Sequence, residues 1–172
     1  MKFHNITYPD VNNGSGCRVT LWISGCNHYC KNCQNLETWD KESGQEFTQK
    51  KEDLLLNILS KPYIKGLTLS GGDPLVYYYN DVLALCEKIK KDEKLKNKDI
   101  WVYTGYTLEQ LFNNGRSEIL KYIDYLVDGP YIEEERDLTI PFRGSRNQKI
   151  YHITSDLVNI QYEEVFKLNQ NK

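Results

Sequence analysis

Residues 24–35 read Ser24-Gly25-Cys26-Asn27-His28-Tyr29-Cys30-Lys31-Asn32-Cys33-Gln34-Asn35, which places three cysteines in the spacing Cys-x3-Cys-x2-Cys. The segment directly follows Arg18 to Ile23, an alternating apolar run that predicts a buried strand. The three thiols therefore lie on a loop at the C-terminal end of a strand, where α/β proteins commonly carry their chemistry. We call residues 24–35 the cysteine loop.

Three thiols on one short loop can surround a metal centre, and the spacing leaves two kinds of centre open. A 4Fe-4S cubane has four irons, so ligation by Cys26, Cys30 and Cys33 would leave one iron free to hold a substrate. Tetrahedral zinc could use the same thiols with His28, but His28 lies between two of the ligands and would have to turn back. Structural zinc also normally has a second pair of ligands, and the sequence has no second Cys-x2-Cys pair. The spacing therefore favours the cubane.

The other two cysteines are predicted to have no role in the metal centre. Cys17 precedes the strand and is interpreted as a partly buried free thiol. Cys86 shares the apolar face of a predicted helix with Val82, Leu85 and Ile89, so it belongs to the core. An odd total of five cysteines argues against the disulfide framework of a secreted protein and for metal binding in a reducing compartment.

The composition is that of a globular protein of one domain. The chain has 172 residues, of which 40% are hydrophobic and 27% are charged. Because domains cluster at about 100–150 residues, we predict a single domain over residues 1–172. The formal net charge of -2 gives no reason to expect nucleic acid as a partner, since proteins that bind it usually carry a basic excess. No stretch approaches the ~20 apolar residues of a membrane span, and the N-terminus lacks the apolar core of a signal peptide, which predicts a cytoplasmic protein.

Strands and helices alternate along the chain. Residues 1–17 are polar and rich in turn formers, which predicts an ordered loop. Strands are predicted at 18–23, 64–69, 99–103, 125–127 and 149–153, and helices are predicted after the N-caps Thr48 and Thr107 and near Asn80 and Ile119. Thr107 and Gln110 also have the spacing of a capping box. This alternation predicts an α/β fold with a mostly parallel sheet.

Each of the first four predicted strands ends in a turn of distinctive residues. After the cysteine loop come Gly71-Gly72-Asp73-Pro74, Thr104-Gly105-Tyr106 and Asp128-Gly129-Pro130. Because parallel strands share one C-terminal edge, the four turns are expected to line one cleft. Gly71 and Gly72 lack Cβ atoms, so their backbone could meet a ligand closely and offer carbonyls to an ammonium group. An ordinary turn made of Gly, Asp and Pro is the open alternative.

With these motifs in place, the sequence resembles the radical S-adenosylmethionine (SAM) enzymes, in both the cysteine spacing and the Gly-Gly-Asp-Pro turn. More narrowly it is similar to the activating proteins of anaerobic ribonucleoside-triphosphate reductases, a group of glycyl-radical enzyme activases. That similarity spans nearly the whole chain, through the runs at Asn13 to Arg18, Val102 to Tyr106, Val127 to Tyr131 and Phe142 to Gln148. Two positions depart from the radical SAM pattern. Asp73 replaces a commoner Glu, and Asn32 stands where many members have an aromatic residue that contacts adenine, a contact for which Tyr29 is the alternative.

The resemblance implies the fold, the cofactors and the site. The fold would be a partial βα barrel of the radical SAM type, in one radical SAM domain. Each chain would hold one 4Fe-4S cluster on Cys26, Cys30 and Cys33, together with SAM, and would need no catalytic residue beyond these two groups. The backbone of Gly71 and Gly72 would receive the ammonium group of SAM. The full set of implied SAM contacts is Asn32, Cys33, Gln34, Gly71, Gly72, Asp73, Thr104 and Asp128.

The resemblance also implies the reaction and the partners. Reductive cleavage of SAM would give a 5'-deoxyadenosyl radical, which would take hydrogen from a glycine of the large subunit of an anaerobic ribonucleoside-triphosphate reductase. An electron donor such as flavodoxin would supply the electron. Arg143 and Arg146 could bind the SAM carboxylate or a tail of the reductase, and a solvated loop is the alternative interpretation. For His28 we predict an exposed loop position, with a hydrogen bond near the cluster as the alternative.

Two other functions are compatible with the same sequence. The first is a short radical SAM enzyme that acts on a small molecule, similar to 7-carboxy-7-deazaguanine synthase. The second is a zinc-stabilised interaction module, which would not be an enzyme.

Overall fold

A computed structural model describes residues 1–155 and 159–168, and the predicted domain, 1–172, extends past these ranges. Within them, eight strands form one sheet. The strands are β1 (Lys2–Asp10), β2 (Arg18–Ile23), β3 (Gln45–Glu46), β4 (Gly66–Gly71), β5 (Asp99–Tyr103), β6 (Tyr125–Asp128), β7 (Lys149–Ile153) and β8 (Tyr162–Val165). They lie side by side in the order β3-β1-β2-β4-β5-β6-β7-β8. The α-helices in these ranges are α1 (Gln49–Leu59), α2 (Tyr79–Lys91) and α3 (Leu108–Asn113), and short 3₁₀ turns cover Leu36–Thr38, Ser117–Lys121 and Glu133–Glu135.

The centre of the sheet is parallel and its two flanks are antiparallel. Strands β2, β4, β5 and β6 pair in parallel, in the order in which they follow along the chain. On one side β1 pairs antiparallel with β2 and with β3, and on the other side β7 pairs antiparallel with β6 and with β8. The predicted α/β class is therefore confirmed, and the sheet is mixed. The four central strands place all four predicted turns at one edge.

The two faces of the sheet differ in chemistry. Residues on one face pack against the three helices and form the main core; its central row, in register across the parallel strands, is Leu21, Leu69, Val102 and Leu126. The opposite face presents polar and aromatic side chains, whose central row is Thr20, Thr68, Trp101 and Tyr125. Because side chains alternate between the faces of a strand, this second face carries the groups that a ligand would meet. Cys86 is fully buried in the helix-side core, as predicted.

The prediction of an ordered loop over residues 1–17 is wrong for the segment that forms β1. Phe3 is the only residue of β1 that is fully buried, so the strand lacks the regular apolar alternation by which a strand is recognised in a sequence. Its backbone pairing with β2 determines its conformation instead. Strand β8 was also missed, because none of its four residues is buried. Both strands lie toward the outside of the sheet, where packing constrains the sequence least.

A buried ion pair holds the N-terminal edge of the parallel strands. Arg18, which begins β2, is fully buried and its Nη1 lies 2.6 Å from Oδ1 of Asp99, the first residue of β5. Nε of Arg18 donates to Oγ1 of Thr68 at 2.7 Å, and Nη2 donates to the carbonyl of Leu67 at 2.8 Å. The guanidinium also lies 5.4 Å from the centre of the Trp101 ring. One side chain thus joins the first halves of three strands.

The capping box predicted for α3 is confirmed. Oγ1 of Thr107 accepts from the amide of Gln110 at 3.2 Å, and Oε1 of Gln110 accepts from the amide of Thr107 at 2.8 Å. We expect Thr107→Ala to lower the free energy of unfolding by about 1 kcal/mol, because one helical amide loses its partner. Thr48→Ala is the matched control, since Thr48 is the N-cap of α1 but makes no side-chain capping bond. Urea unfolding of both variants measures the difference, and an equal loss in the two would contradict the assignment.

Candidate metal centre and cofactor cleft

The three predicted ligands lie on a loop whose sulfurs face backbone amides. Cys26 is buried, whereas Cys30 and Cys33 are half-buried. The sulfur of Cys26 receives a backbone hydrogen bond from His28, and that of Cys33 receives one from the amide of Asn35 at 3.4 Å. The sulfur of Cys30 receives a backbone hydrogen bond from Tyr131, in the segment that follows β6. Amides aimed at sulfur stabilise the thiolate form that binds metal, so each predicted ligand has a supporting donor.

Two of the three thiols nevertheless hold their protons more tightly than an ordinary cysteine. The pKa of Cys26 is raised to about 12, mainly by burial and to a smaller extent by Asp73 and by the nearby thiols. Burial likewise raises the pKa of Cys30. In the part of the chain that the structure describes, no three His, Cys, Asp or Glu side chains lie close enough to share one metal ion. A cubane carries each ligand on a different iron, and thiols are the ligands that hold such clusters, so the donor type of the loop fits a 4Fe-4S cluster.

Asp73 joins three of the four turns. Its side chain is almost fully buried, and its Oδ1 accepts from the amide of Leu75 at 2.8 Å. Its Oδ2 accepts from Oγ1 of Thr104 and from the amide of Gly105, both at 2.8 Å, and lies 2.6 Å from Nε2 of His28. Protein groups thus surround both carboxylate oxygens. Asp73 therefore connects the cysteine loop to the turns that follow β4 and β5.

The predicted exposed position of His28 is wrong. Its side chain is only 16% exposed, because its ring lies over Gly105 and meets the Tyr106 ring edge to face, with 4.9 Å between the ring centres. The hydrogen bond to Asp73 orients the ring. The sequence could not reveal this contact, since 45 residues separate the two partners.

Gly71 and Gly72 allow the cysteine loop and the second turn to touch. A Cβ on Gly71 would lie 2.6 Å from the carbonyl oxygen of Ile23, and the φ of +106° at Gly71 also disfavours other residues. A Cβ on Gly72 would lie 2.5 Å from the carbonyl oxygen of Gly25. The amides of Gly72 and Asp73 donate to the Ile23 and Gly25 carbonyls, both at 2.8 Å. The close approach that these glycines permit is thus first of all between two protein backbones.

The remaining predicted SAM contacts fall into two groups. Asn32 and Gln34 are exposed on the cysteine loop, and Asn32 has a left-handed backbone with a φ of 55°. Thr104 is buried and donates to Asp73. Asp128 is also buried, and its carboxylate accepts from the amides of Leu108, at the start of α3, and Lys149. Burial raises the pKa of Asp128 above its ordinary value.

A cavity of about 500 Å³ opens beside Cys33, on the sheet face that is opposite to the helices. Its volume lies within the range of about 300–1,000 Å³ that is typical of small-molecule sites. Gln34 and Asn35 border it together with Cys33, and the strand ends contribute Trp22, Ser70 and Tyr103. The segment after β6 completes the wall, mainly through Tyr131, Phe142, Arg143 and Gln148. A second cavity, of about 610 Å³, lies between residues 76–81 and 114–116 and borders no predicted ligand.

Arg143 and Arg146, the two possible anion-binding arginines of the sequence, differ in their surroundings. Arg146 is exposed and forms an ion pair with Asp137 at 2.6 Å, as expected for a surface loop. Arg143 is buried in the cavity wall, where its Nη1 and Nη2 donate to the carbonyls of Gln148 and Phe166 at 3.2 and 2.8 Å. Nε of Arg143 is buried and has no hydrogen-bond partner within the described ranges. That free donor is the kind of group an anionic ligand would need.

Sequence reasoning missed several residues that build the site. Asn35 donates through Nδ2 to the carbonyl of Gly71 at 3.0 Å, which ties the end of the cysteine loop to the second turn. The cavity is also lined by residues at the C-terminal ends of three strands, namely Trp22, Ser70 and Tyr103. Their positions could have been found by extending the alternation of each strand to its C-terminal end. Tyr131 could not, because its segment has no periodicity.

No helix within the described ranges is long and apolar enough to cross a membrane.

Comparisons with known proteins show similarity over most of the chain. Residues 12–151 match the model of the family described as a 4Fe-4S single cluster domain. The anaerobic ribonucleoside-triphosphate reductase-activating protein of Vibrio cholerae is 44% identical over 157 residues, covering 90% of this chain and 99% of the relative. Proteins of the same name are 41% identical in Escherichia coli K12, over 89% of this chain and 99% of the relative, and in Enterobacteria phage T4, over 90% and 96%. The matched region includes the cysteine loop and the four turns.

Proposed function

Because the chain belongs to the 4Fe-4S single cluster family and to the family of anaerobic ribonucleoside-triphosphate reductase-activating proteins, we propose that it activates such a reductase by forming a glycyl radical on it. The observation that carries the proposal is the position of the three thiols. Each receives a backbone hydrogen bond, and Cys33 borders a cavity large enough for SAM. The protein would act as an enzyme of the radical SAM class.

Cys26, Cys30 and Cys33 would hold the 4Fe-4S cluster. When bound and reduced, the cluster would supply the single electron for reductive cleavage of SAM to methionine and a 5'-deoxyadenosyl radical. The chain's own residues ligate, orient and exclude water. The amides at the three sulfurs offset the negative charge of the thiolates, and the burial of Cys26 keeps water from that side of the centre.

The cavity beside Cys33 is the proposed SAM site. Its aromatic side chains suit an adenosine, and the unpaired Nε of Arg143 in its wall suits the carboxylate of the methionine part. Cys33 and Gln34 border this cavity directly. We retain the other predicted contacts as part of the proposal, either as direct contacts or as supports of the turns: Asn32, Gly71, Gly72, Asp73, Thr104 and Asp128.

The architecture supports a partial βα barrel of the radical SAM type. Strands β2, β4, β5 and β6 are neighbours in chain order, and the helices that connect them pack on one face. Successive right-handed βα units that wind in one direction build a barrel. The polar face remains open beside the cavity, where a glycine-bearing loop of the large reductase subunit would enter. An electron donor such as a flavodoxin would reduce the oxidised centre before each cleavage of SAM.

The proposed activity is tested by electron paramagnetic resonance. The anaerobically reduced protein is mixed with SAM and with the anaerobic reductase of the same organism. We expect a glycyl-radical signal on the reductase, together with 5'-deoxyadenosine, because the radical must be quenched by hydrogen from that glycine. Omitting SAM and replacing the acceptor glycine of the reductase with alanine are the two controls, and both should remove the signal.

Three outcomes would contradict the proposal, and two of them identify the alternative. Formation of 5'-deoxyadenosine without a radical on the reductase would favour a small-molecule substrate. About one zinc per chain without labile sulfide would favour an interaction module. A protein that holds iron and sulfide but never cleaves SAM would exclude radical SAM activity.

A further inference from the structure

We propose that His28 is a positioning residue, which fixes the middle of the cysteine loop to the sheet through Asp73 and so prepares the three thiols for the metal centre. The inference rests on the proposed function only in naming the thiols as ligands. It concerns the protein before any metal is bound. It gives His28, which lies between Cys26 and Cys30, a role other than metal ligation.

The geometry makes His28 the bridge between the loop and the buried interior. Nε2 of His28 lies 2.6 Å from Oδ2 of Asp73, and the same oxygen accepts from Thr104 and Gly105. Because Oδ2 is an acceptor, Nε2 must donate the hydrogen of this bond. Asp73 is only 1% exposed and cannot exchange His28 for water without opening the turn.

The residues around the His28 ring leave the ring little freedom to rotate. A Cβ on Gly105 would lie 2.4 Å from Cδ2 of His28, so only glycine allows the ring to lie so close to this turn. The ring of Tyr106 also contacts the His28 ring, edge to face. A hydrogen bond and two contacts therefore fix the ring in one orientation.

The backbone of the loop needs such an attachment. Tyr29 and Asn32 are not glycines, yet they have φ values of 50° and 55°, a left-handed conformation that costs energy for residues with a Cβ. Tyr29 directly follows His28 and precedes Cys30. Strained backbone persists only where the surroundings hold it, and His28 is placed next to the strain.

The ion pair between Lys31 and Glu134, in the same part of the loop, is too exposed to replace His28. Nζ of Lys31 lies 3.0 Å from Oε1 of Glu134, but the two side chains are 71% and 67% exposed. Exposed ion pairs of this kind contribute little, because water and salt screen them. The hydrogen bond to buried Asp73 is screened much less. The loop is therefore expected to depend on His28 more than on Lys31.

The test measures how fast each cysteine of the metal-free protein reacts with an alkylating reagent, with peptides identified by mass spectrometry. His28→Phe keeps a ring of similar size but removes the donor, and His28→Asn keeps a donor that is too short to reach Asp73. His28→Gln places an amide donor near the position of Nε2. His152→Phe is the matched control. His152 lies in β7, stacks on Tyr125 of β6 and is outside the cysteine loop.

We expect Cys26 to react at least about tenfold faster in His28→Phe and in His28→Asn, since a hydrogen bond to a charged group is lost. His28→Gln should restore most of the slow rate, and His152→Phe should leave it unchanged. Cys86, fully buried in the core, serves as the internal reference, and its rate should not change in any variant that remains folded.

Iron and sulfide content after anaerobic reconstitution is the second measurement. His28→Phe should bind several-fold less iron than the wild type under limiting iron, and His28→Gln should recover it. The proposal is overturned if Cys26 reacts equally slowly in the wild type, His28→Phe and His28→Asn, or if His28→Gln reacts as fast as His28→Phe. If the wild-type protein binds no iron while Cys26 still responds to His28, the proposed function fails and the positioning role stands.

Discussion

Replacing any one of Cys26, Cys30 and Cys33 with alanine is expected to abolish the iron-sulfur centre and to reduce SAM cleavage by more than about 100-fold. Loss of an outer partner of a metal ligand already costs 10–100-fold in affinity or activity, so loss of a ligand must cost more. With only two thiols left, the proposed cubane would have no stable attachment at the edge of the cleft. Iron and sulfide analysis, visible absorbance and the yield of 5'-deoxyadenosine measure the loss.

The other two cysteines provide the controls for this experiment. Cys17 is half-buried away from the loop, and Cys86 is fully buried among the apolar residues of α2. Cys17→Ala and Cys86→Ala should both retain the cluster and SAM cleavage. If one of the three loop variants retained full cleavage, or if Cys17→Ala lost it, the ligand assignment would be wrong.

Arg18→Met is expected to lower the free energy of unfolding by about 3 kcal/mol, the largest loss of stability that we predict for a single substitution here. Methionine fills much of the space but removes the buried cation at Asp99, which is only 14% exposed and keeps only the long, half-exposed contact with Nζ of Lys65 at 3.9 Å. Removing one member of a buried pair typically costs 3–5 kcal/mol, and the lower figure allows for the partial exposure of Asp99. Urea unfolding followed by circular dichroism measures the change.

Two further variants identify the cause of this loss. Arg18→Met combined with Asp99→Asn should be more stable than Arg18→Met alone, because the charge that lost its buried partner is removed. Lys88→Met removes an exposed ion pair with Glu52 and should cost less than about 1 kcal/mol. A loss for Arg18→Met no larger than that for Lys88→Met would contradict a buried electrostatic origin.

Features that depend on neighbouring residues could be predicted from the sequence. The central strands, the capping box of α3 and the core position of Cys86 follow from apolar periodicity and from spacings of three or four residues. The shared edge of the four turns followed from the parallel sheet that alternating strands and helices predict.

Features that depend on distant partners could not be predicted. The bond between His28 and Asp73 joins positions 45 residues apart, and β1 is a strand because β2 offers it hydrogen bonds. Gly71 and Gly72 were expected to make room for a ligand, whereas the structure brings them against the backbone that leads into the cysteine loop. The role of Asp128 in SAM binding stays a prediction, and in the structure its carboxylate accepts from the first amide of α3.

The Arg18 pair and the cysteine loop occupy opposite ends of the same strand, β2. The groups that contribute most to stability and the groups proposed for the chemistry are therefore separated by the length of one strand. Substitutions that stabilise the protein near Arg18 act far from the cysteine loop, and the effects of distant substitutions usually add. Thermostable variants can therefore be sought among substitutions at the N-terminal edge of the parallel strands, and we expect such variants to keep the environment of the three thiols.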